Sequence, residues 1–148
     1  MRSVADIDVS ARAQAARLVH AFAAGEIDND ELEDRYPLGS RDPGVKAIWW
    51  QVWSLYSDFA TQRVGRNLQL DAETRELIDR CGLFLQSTLP YGWPRLWFKG
   101  LLSDLQTVPL LGRLARRRLE RWDAAGDPSV WPFLQRGDLE AARGRPFS

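Results

Sequence analysis

Asp42 and Pro43 stand directly before the run GVKAIWWQVWSLYSDFA, and that pairing constrains the fold more than any other feature. Aspartate favours the N-cap, where its carboxylate accepts an orphan backbone N–H, and proline fits the first helical position because its missing N–H would be unpaired there anyway. At about 100° per residue, Val45, Ile48, Trp49, Val52, Trp53, Leu55, Tyr56, Phe59 and Ala60 fall within one arc. The spacing predicts a helix from residue 43 to about 64, roughly 30 Å long at ~1.5 Å per residue.

The same reading extends along the chain. Residues 9–24 place Ala15, Leu18, Val19 and Phe22 at helical spacing, with Asp8 or Ser10 as the start and Gly25 as the stop. DNDELEDRYP offers Asp28 or Asn29 as N-cap, the apolar pair Leu32 and Tyr36, and Pro37 as terminator. Asp71 caps a helix whose stripe is Leu77, Ile78, Cys81, Phe84, Leu85 and Thr88. Pro94 opens another through Trp97, Leu101 and Leu105, and LLGRLARRRLERWDAAG follows as a helix ending near Gly126. No run alternates long enough for a sheet and no repeat is visible. The expected architecture is all-α: one domain over residues 1–148, a bundle of five to seven helices, with an irregular tail at 126–148 docked by Trp131 and Phe133.

Trp50 does not belong to the buried arc. It projects about 140° from Val45, beside Lys46, Ser54 and Ser57, whereas Trp49 and Trp53 point to the core. An exposed indole beside a cation fits a protein-binding anchor, since tryptophan is enriched among interface hot spots. The alternative is that the aromatic tail closes over it.

Composition excludes several classes. The 148 residues hold 20 basic and 20 acidic side chains, so no net field draws the protein to nucleic acid or an anionic membrane. Residues 1–89 carry 10 basic and 14 acidic residues, about −4, and residues 90–148 carry 10 and 6, about +4. Complementary halves can pack together. A single cysteine, Cys81, excludes an internal disulfide and a thiolate zinc site. MRSVADIDVS has no apolar signal region, and Asp104 and Pro109 interrupt the longest apolar stretch. The expectation is a cytoplasmic protein with no membrane span and no cofactor.

Chemistry-bearing residues are sparse. His20, the single histidine, projects to the polar side of its helix and reads as a surface residue; Cys81 sits mid-stripe, where apolar neighbours raise a thiol's pKa. There is no phosphate loop or dinucleotide fingerprint. Glu31 with Asp34, Glu73 with Glu76 and Glu76 with Asp79 are each three apart, a spacing that aims two carboxylates to one helical face and would suit a hard cation in a nucleotide hydrolase. The same acids also serve helix dipoles and solvated faces.

Two charged faces remain. Six acids occur in the nine positions from Glu26 to Asp34; the run reads first as a capped, solvated short helix, and among its acids Asp28, Asp30, Glu31 and Asp34 could meet a basic partner. Arg113, Arg116, Arg117 and Arg121 group on one face of the late helix, opposite Leu111, Ala115 and Trp122, but Glu120 lies inside the group and no aromatic side chain interleaves to stack a base. Nucleic acid is therefore not the expected partner, and the group reads first as a solvated face. Arg118 falls within the apolar stripe, where it must snorkel or meet a carboxylate from the acidic half. RLWFKGLLSDL reads as a core helix rather than a membrane-surface one.

AAGEIDNDELEDRYP followed by DPGVKAIWWQVWSLYSD resembles a pattern in small bacterial proteins, G-x-I-x-N-D-E before a proline and W-x-L-Y-x-D downstream. The resemblance implies a bacterial origin and transfers no activity to any residue. By elimination, the expected function is non-enzymatic: binding of a protein partner, in the manner of an immunity protein or antitoxin, through Trp50, Lys46 and the two charged faces. The competing expectations are a carboxylate–metal hydrolase acting on a nucleotide and a structural subunit or homodimer.

Overall fold

The computed structural model describes residues 7–57, 59–94 and 111–145, and these form an all-α fold. Its helices are α1 (Val9–Ala23), α2 (Asn29–Arg35), α3 (Pro43–Trp53), α4 (Ala72–Leu85), α5 (Leu111–Ala125) and α6 (Arg136–Arg143), with a 3-10 turn at Pro128–Val130. Among the described residues there is no strand, only an isolated bridge between Val64 and Leu68. The helix expected from Pro94 through Leu105 falls largely on residues 95–110, outside the described residues, as does the side chain of Arg118.

Local chemistry starts the first four helices where the sequence places them. The Asp8 carboxylate accepts from Ala11 N at 2.9 Å, Asp42 from Gly44 N at 2.8 Å and Asp71 from Thr74 N at 2.7 Å. Asp28 and Glu31 close a reciprocal capping box, each accepting from the other's backbone N–H at 2.9 Å. Gly25 ends the α1 turn at φ +72°, where a side chain would be strained and would also collide with the Val64 carbonyl.

The core lies between α1 and α4. Ala15, Leu18, Val19 and Phe22 from α1 meet Ile78, Cys81, Phe84 and Leu85 from α4, all of them buried. Gly82 permits close approach, because the His20 ring lies against it and a Cβ there would come within 2.6 Å of Nε2. His20 is thus half-buried between the two helices rather than a surface residue. α3 adds Val45, Ile48, Trp49 and Val52, and Tyr36 locks α2 onto it by donating from Oη to the Val45 carbonyl at 2.7 Å.

α3 is shorter than its apolar spacing predicts. It ends at Trp53, giving 11 residues and about 16 Å instead of about 30 Å. Ser54 Oγ donates to the Gln51 carbonyl at 2.6 Å, and Gln62 Oε1 takes the Ser57 N–H at 2.7 Å, so local and loop side chains replace the helical ladder. The chain then returns to α2, where buried Asn29 accepts from Gln62 N at 2.6 Å and donates to the Ala60 carbonyl at 3.2 Å. Phe59, expected in the core arc, is 99% exposed as a result. Thr88 likewise lies beyond the end of α4 and is exposed.

The tail docks on α4. Phe133 is buried edge-on against Phe84 with ring centroids 5.5 Å apart, and burying such a ring contributes on the order of 1.5–3 kcal/mol. Trp131 donates from Nε1 to Tyr91 Oη at 3.0 Å, while Trp93 Nε1 is shared between the Pro132 and Phe133 carbonyls at 3.1 and 3.2 Å. The segment is less irregular than expected, since α6 buries Leu139 and packs on α4. α5 reaches the assembly through Trp122, tilted 33° on Trp93 at 4.5 Å.

Candidate functional site

Where α1, the start of α3 and the end of α4 meet, Arg12 and Asp42 form a buried ion pair. Arg12 Nε lies 2.6 Å from Asp42 Oδ2, with the side chains 1% and 0% exposed. The Asp42 carboxylate accepts four bonds: from Arg12 Nε, from Arg12 Nη2 at 3.2 Å, from Asp8 N at 3.1 Å and from Gly44 N at 2.8 Å. Arg12 Nη1 donates to the carbonyls of Ser87 and Leu89 at 3.0 and 2.8 Å, and the guanidinium carbon sits 4.9 Å from the centre of the Phe84 ring.

Every partner of this pair comes from its own chain. Two charges taken out of water are tolerated only when so fully bonded, and the arrangement ties the N-termini of two helices to the C-terminus of a third. Asp8 extends the cluster, accepting from Ser40 Oγ at 2.9 Å. Its carboxyl is held below the ordinary range first by the Ala11 backbone N–H and then by the Ser40 hydroxyl. Sequence reasoning missed Arg12, although a signal was present: at about 100° per residue Arg12 falls in the same stripe as Ala15, Ala16 and Val19. A charge inside an apolar stripe requires a carboxylate, the rule already applied to Arg118.

The sequence-predicted binding residues lie elsewhere. Trp50 is 49% exposed on the outer side of α3, one helical turn from exposed Lys46. Its ring meets Trp53 edge-on, 5.7 Å apart at 84°. Trp49 turns inward onto Tyr36 with centroids 4.8 Å apart, and Trp53 stands between the two, half-buried. In the tail, Phe133 is engaged with Phe84 and Trp131 with Tyr91. Exposed Phe59 follows six residues after Trp53 in the loop.

The acidic run is partly neutralised at home. Arg63, reaching in from the loop, lies 3.6 Å from Asp28 and 3.5 Å from Glu31 and donates to the Gly25 and Glu26 carbonyls at 3.0 and 2.7 Å. Asp30 accepts from Thr61 Oγ1, and Asp34 is exposed. Asp28, Asp30 and Glu31 therefore hold the 61–63 loop on α2.

The second acidic group is separate from the first. Glu76 is shared by Arg80 at 3.3 Å and Arg143 at 3.6 Å, which links α4 to α6. Among the described residues, no three His, Cys, Asp or Glu side chains converge so as to hold a metal ion. Burial pushes the Cys81 thiol up to about 12, so its nucleophilic thiolate is scarce at neutral pH.

Arg113, Arg116, Arg117 and Arg121 are all exposed on α5, with Glu120 among them. Among the described residues none of the four takes part in an ion pair. No described helix is long and apolar enough to cross a membrane. No family model, no curated protein and no solved structure matches this chain.

Proposed function

We propose that this protein acts by binding another protein, with Trp50 as the anchor, and that the bound partner is inhibited as by an immunity protein or antitoxin. The observation that carries the reading is the exposure of Trp50, 49% exposed on α3 while Trp49 at the preceding position is buried. A large, two-torsion side chain loses little conformational freedom on binding and gains much apolar contact, which is why such residues dominate interface energies. Lys46 one turn away supplies a rim charge that sets orientation and association rate more than affinity.

Affinity capture from the source cell with the native chain and with Trp50→Ala tests the reading. The expected result is a partner retained by the native chain, lost with the variant at unchanged melting temperature, and less active when the native chain is added. A partner retained equally by both chains would remove Trp50 as anchor. A captured partner whose activity is unaffected would remove the inhibitory role.

A further inference from the structure

From the outer face of α5 we infer a second docking surface, shaped for an acidic amphipathic helix of a protein partner. Arg113, Arg117 and Arg121 are spaced four residues apart, so they form one row along the helix, with guanidinium origins about 6 Å apart and a span of about 12 Å. Arg116 flanks the row on one side. On the other, about 20° past the direction of Arg121, stands Leu114, 54% exposed.

Like charges at this spacing repel one another and weaken the helix that carries them. Several arginines elsewhere are answered, Arg12 by Asp42, Arg63 by Asp28 and Glu31, Arg80 and Arg143 by Glu76, and those left without an ion pair, such as Arg17, Arg41 and Arg66, do not form a row along one helix. The α5 row has no ion pair among the described residues, and only Glu120 stands at helical-neighbour spacing to offset its repulsion, which is relieved further by whatever brings carboxylates to it. Guanidinium groups accept carboxylates in a two-pronged geometry, and a helix with acids four residues apart repeats at the pitch of the row.

Two features favour a protein helix over a nucleic-acid backbone. Leu114 needs an apolar counterpart, which a phosphate backbone does not offer. The chain as a whole is neutral, so no general field gathers polyanions.

The inference rests on the reading that the protein binds proteins, but it concerns a different surface, and its test does not involve Trp50. The full chain is titrated with a synthetic amphipathic helix bearing glutamates four residues apart beside a leucine row. A scrambled peptide of the same composition and a DNA duplex are titrated in parallel. The helix is expected to bind, to weaken as salt rises from about 0.05 to about 0.5 M, and to exceed the scrambled peptide by about tenfold.

Reversal by Arg117→Glu with Arg121→Glu should weaken helix binding by about tenfold or more, with far-UV circular dichroism unchanged. If the double variant loses helicity, Arg113→Gln in the folded chain is read instead, with a several-fold weakening expected. Absence of helix binding, equal binding of the scrambled peptide, indifference to charge reversal, or tighter binding of the duplex would each overturn the assignment.

Discussion

The junction of α1, α3 and α4 and the outer face of α5 both present guanidinium groups, and they treat them in opposite ways. Arg12 is 1% exposed and spends Nε, Nη1 and Nη2 on two oxygens of Asp42 and two carbonyls. Arg113, Arg117 and Arg121 stand in water with no ion pair among the described residues. Desolvation explains the difference. A buried charge must be matched within the fold or the fold fails, whereas an exposed charge is supported by water and can be left unmatched for a later encounter. The first kind of arginine therefore reports on stability, and the second is the kind on which the proposed docking surface draws.

The sharpest way to break this contrast is at Asp42. Asp42→Ala removes the pair's anion and four acceptor bonds while leaving Arg12 buried, so a loss of about 3–5 kcal/mol is expected. Denaturant unfolding measures it directly. Combining Asp42→Leu with Arg12→Met removes both charges and should recover much of that loss, since apolar replacement of a whole buried pair is frequently close to neutral. An Asp42→Ala chain as stable as the native one would mean that Arg12 reaches water by a small rearrangement, and the junction would then resemble the α5 face.

How much of this was legible depends on the range over which each feature is decided. Helix starts are decided within three residues, by Asp8, Asp28, Asp42 and Asp71, and the sequence shows all four. The outward angle of Trp50 follows from helical geometry alone and is legible for the same reason. The end of α3 is not, because Asn29 and Gln62, 33 residues apart, decide where the chain turns back. The same long-range loop brings Arg63 onto the acidic run, and so converts an apparent free patch into an internal clasp. Arg12 lies between these cases: its place in the apolar stripe is visible, but the identity of its carboxylate, 30 residues on, is not.

A smaller effect separates the helix caps from the buried pair through pH. The carboxyls of Asp8, Asp71 and Asp127 lie below their ordinary value of 3.8, held there chiefly by the Ala11 backbone N–H, the Thr74 backbone N–H and the Ser129 hydroxyl respectively. Because the folded state lowers these values, the stabilisation they give is whole above the unfolded value and disappears as pH falls through the folded ones. Melting temperature should therefore be insensitive to these groups from neutrality down to about pH 5 and should drop below about pH 4. Asp71→Asn keeps a capping oxygen that does not titrate, so its melting temperature should fall less steeply in acid than that of the native chain. Identical slopes would show that the α4 cap does not contribute.

The smallest expected effect is at Arg117, and its smallness is the point. Arg117→Gln removes a charge that touches no anion among the described residues, and it reduces repulsion with Arg113 and Arg121 at helical neighbour spacing. Stability should change by less than about 0.5 kcal/mol, with a gain favoured over a loss, the gain shrinking as salt screens the row. Urea unfolding of the two chains at low and high ionic strength reads both the sign and the screening. A loss of about 1 kcal/mol or more would place Arg117 among the internally matched arginines, like Arg63, and the distinction between a guanidinium that holds the fold and one held ready for a partner would no longer apply to α5.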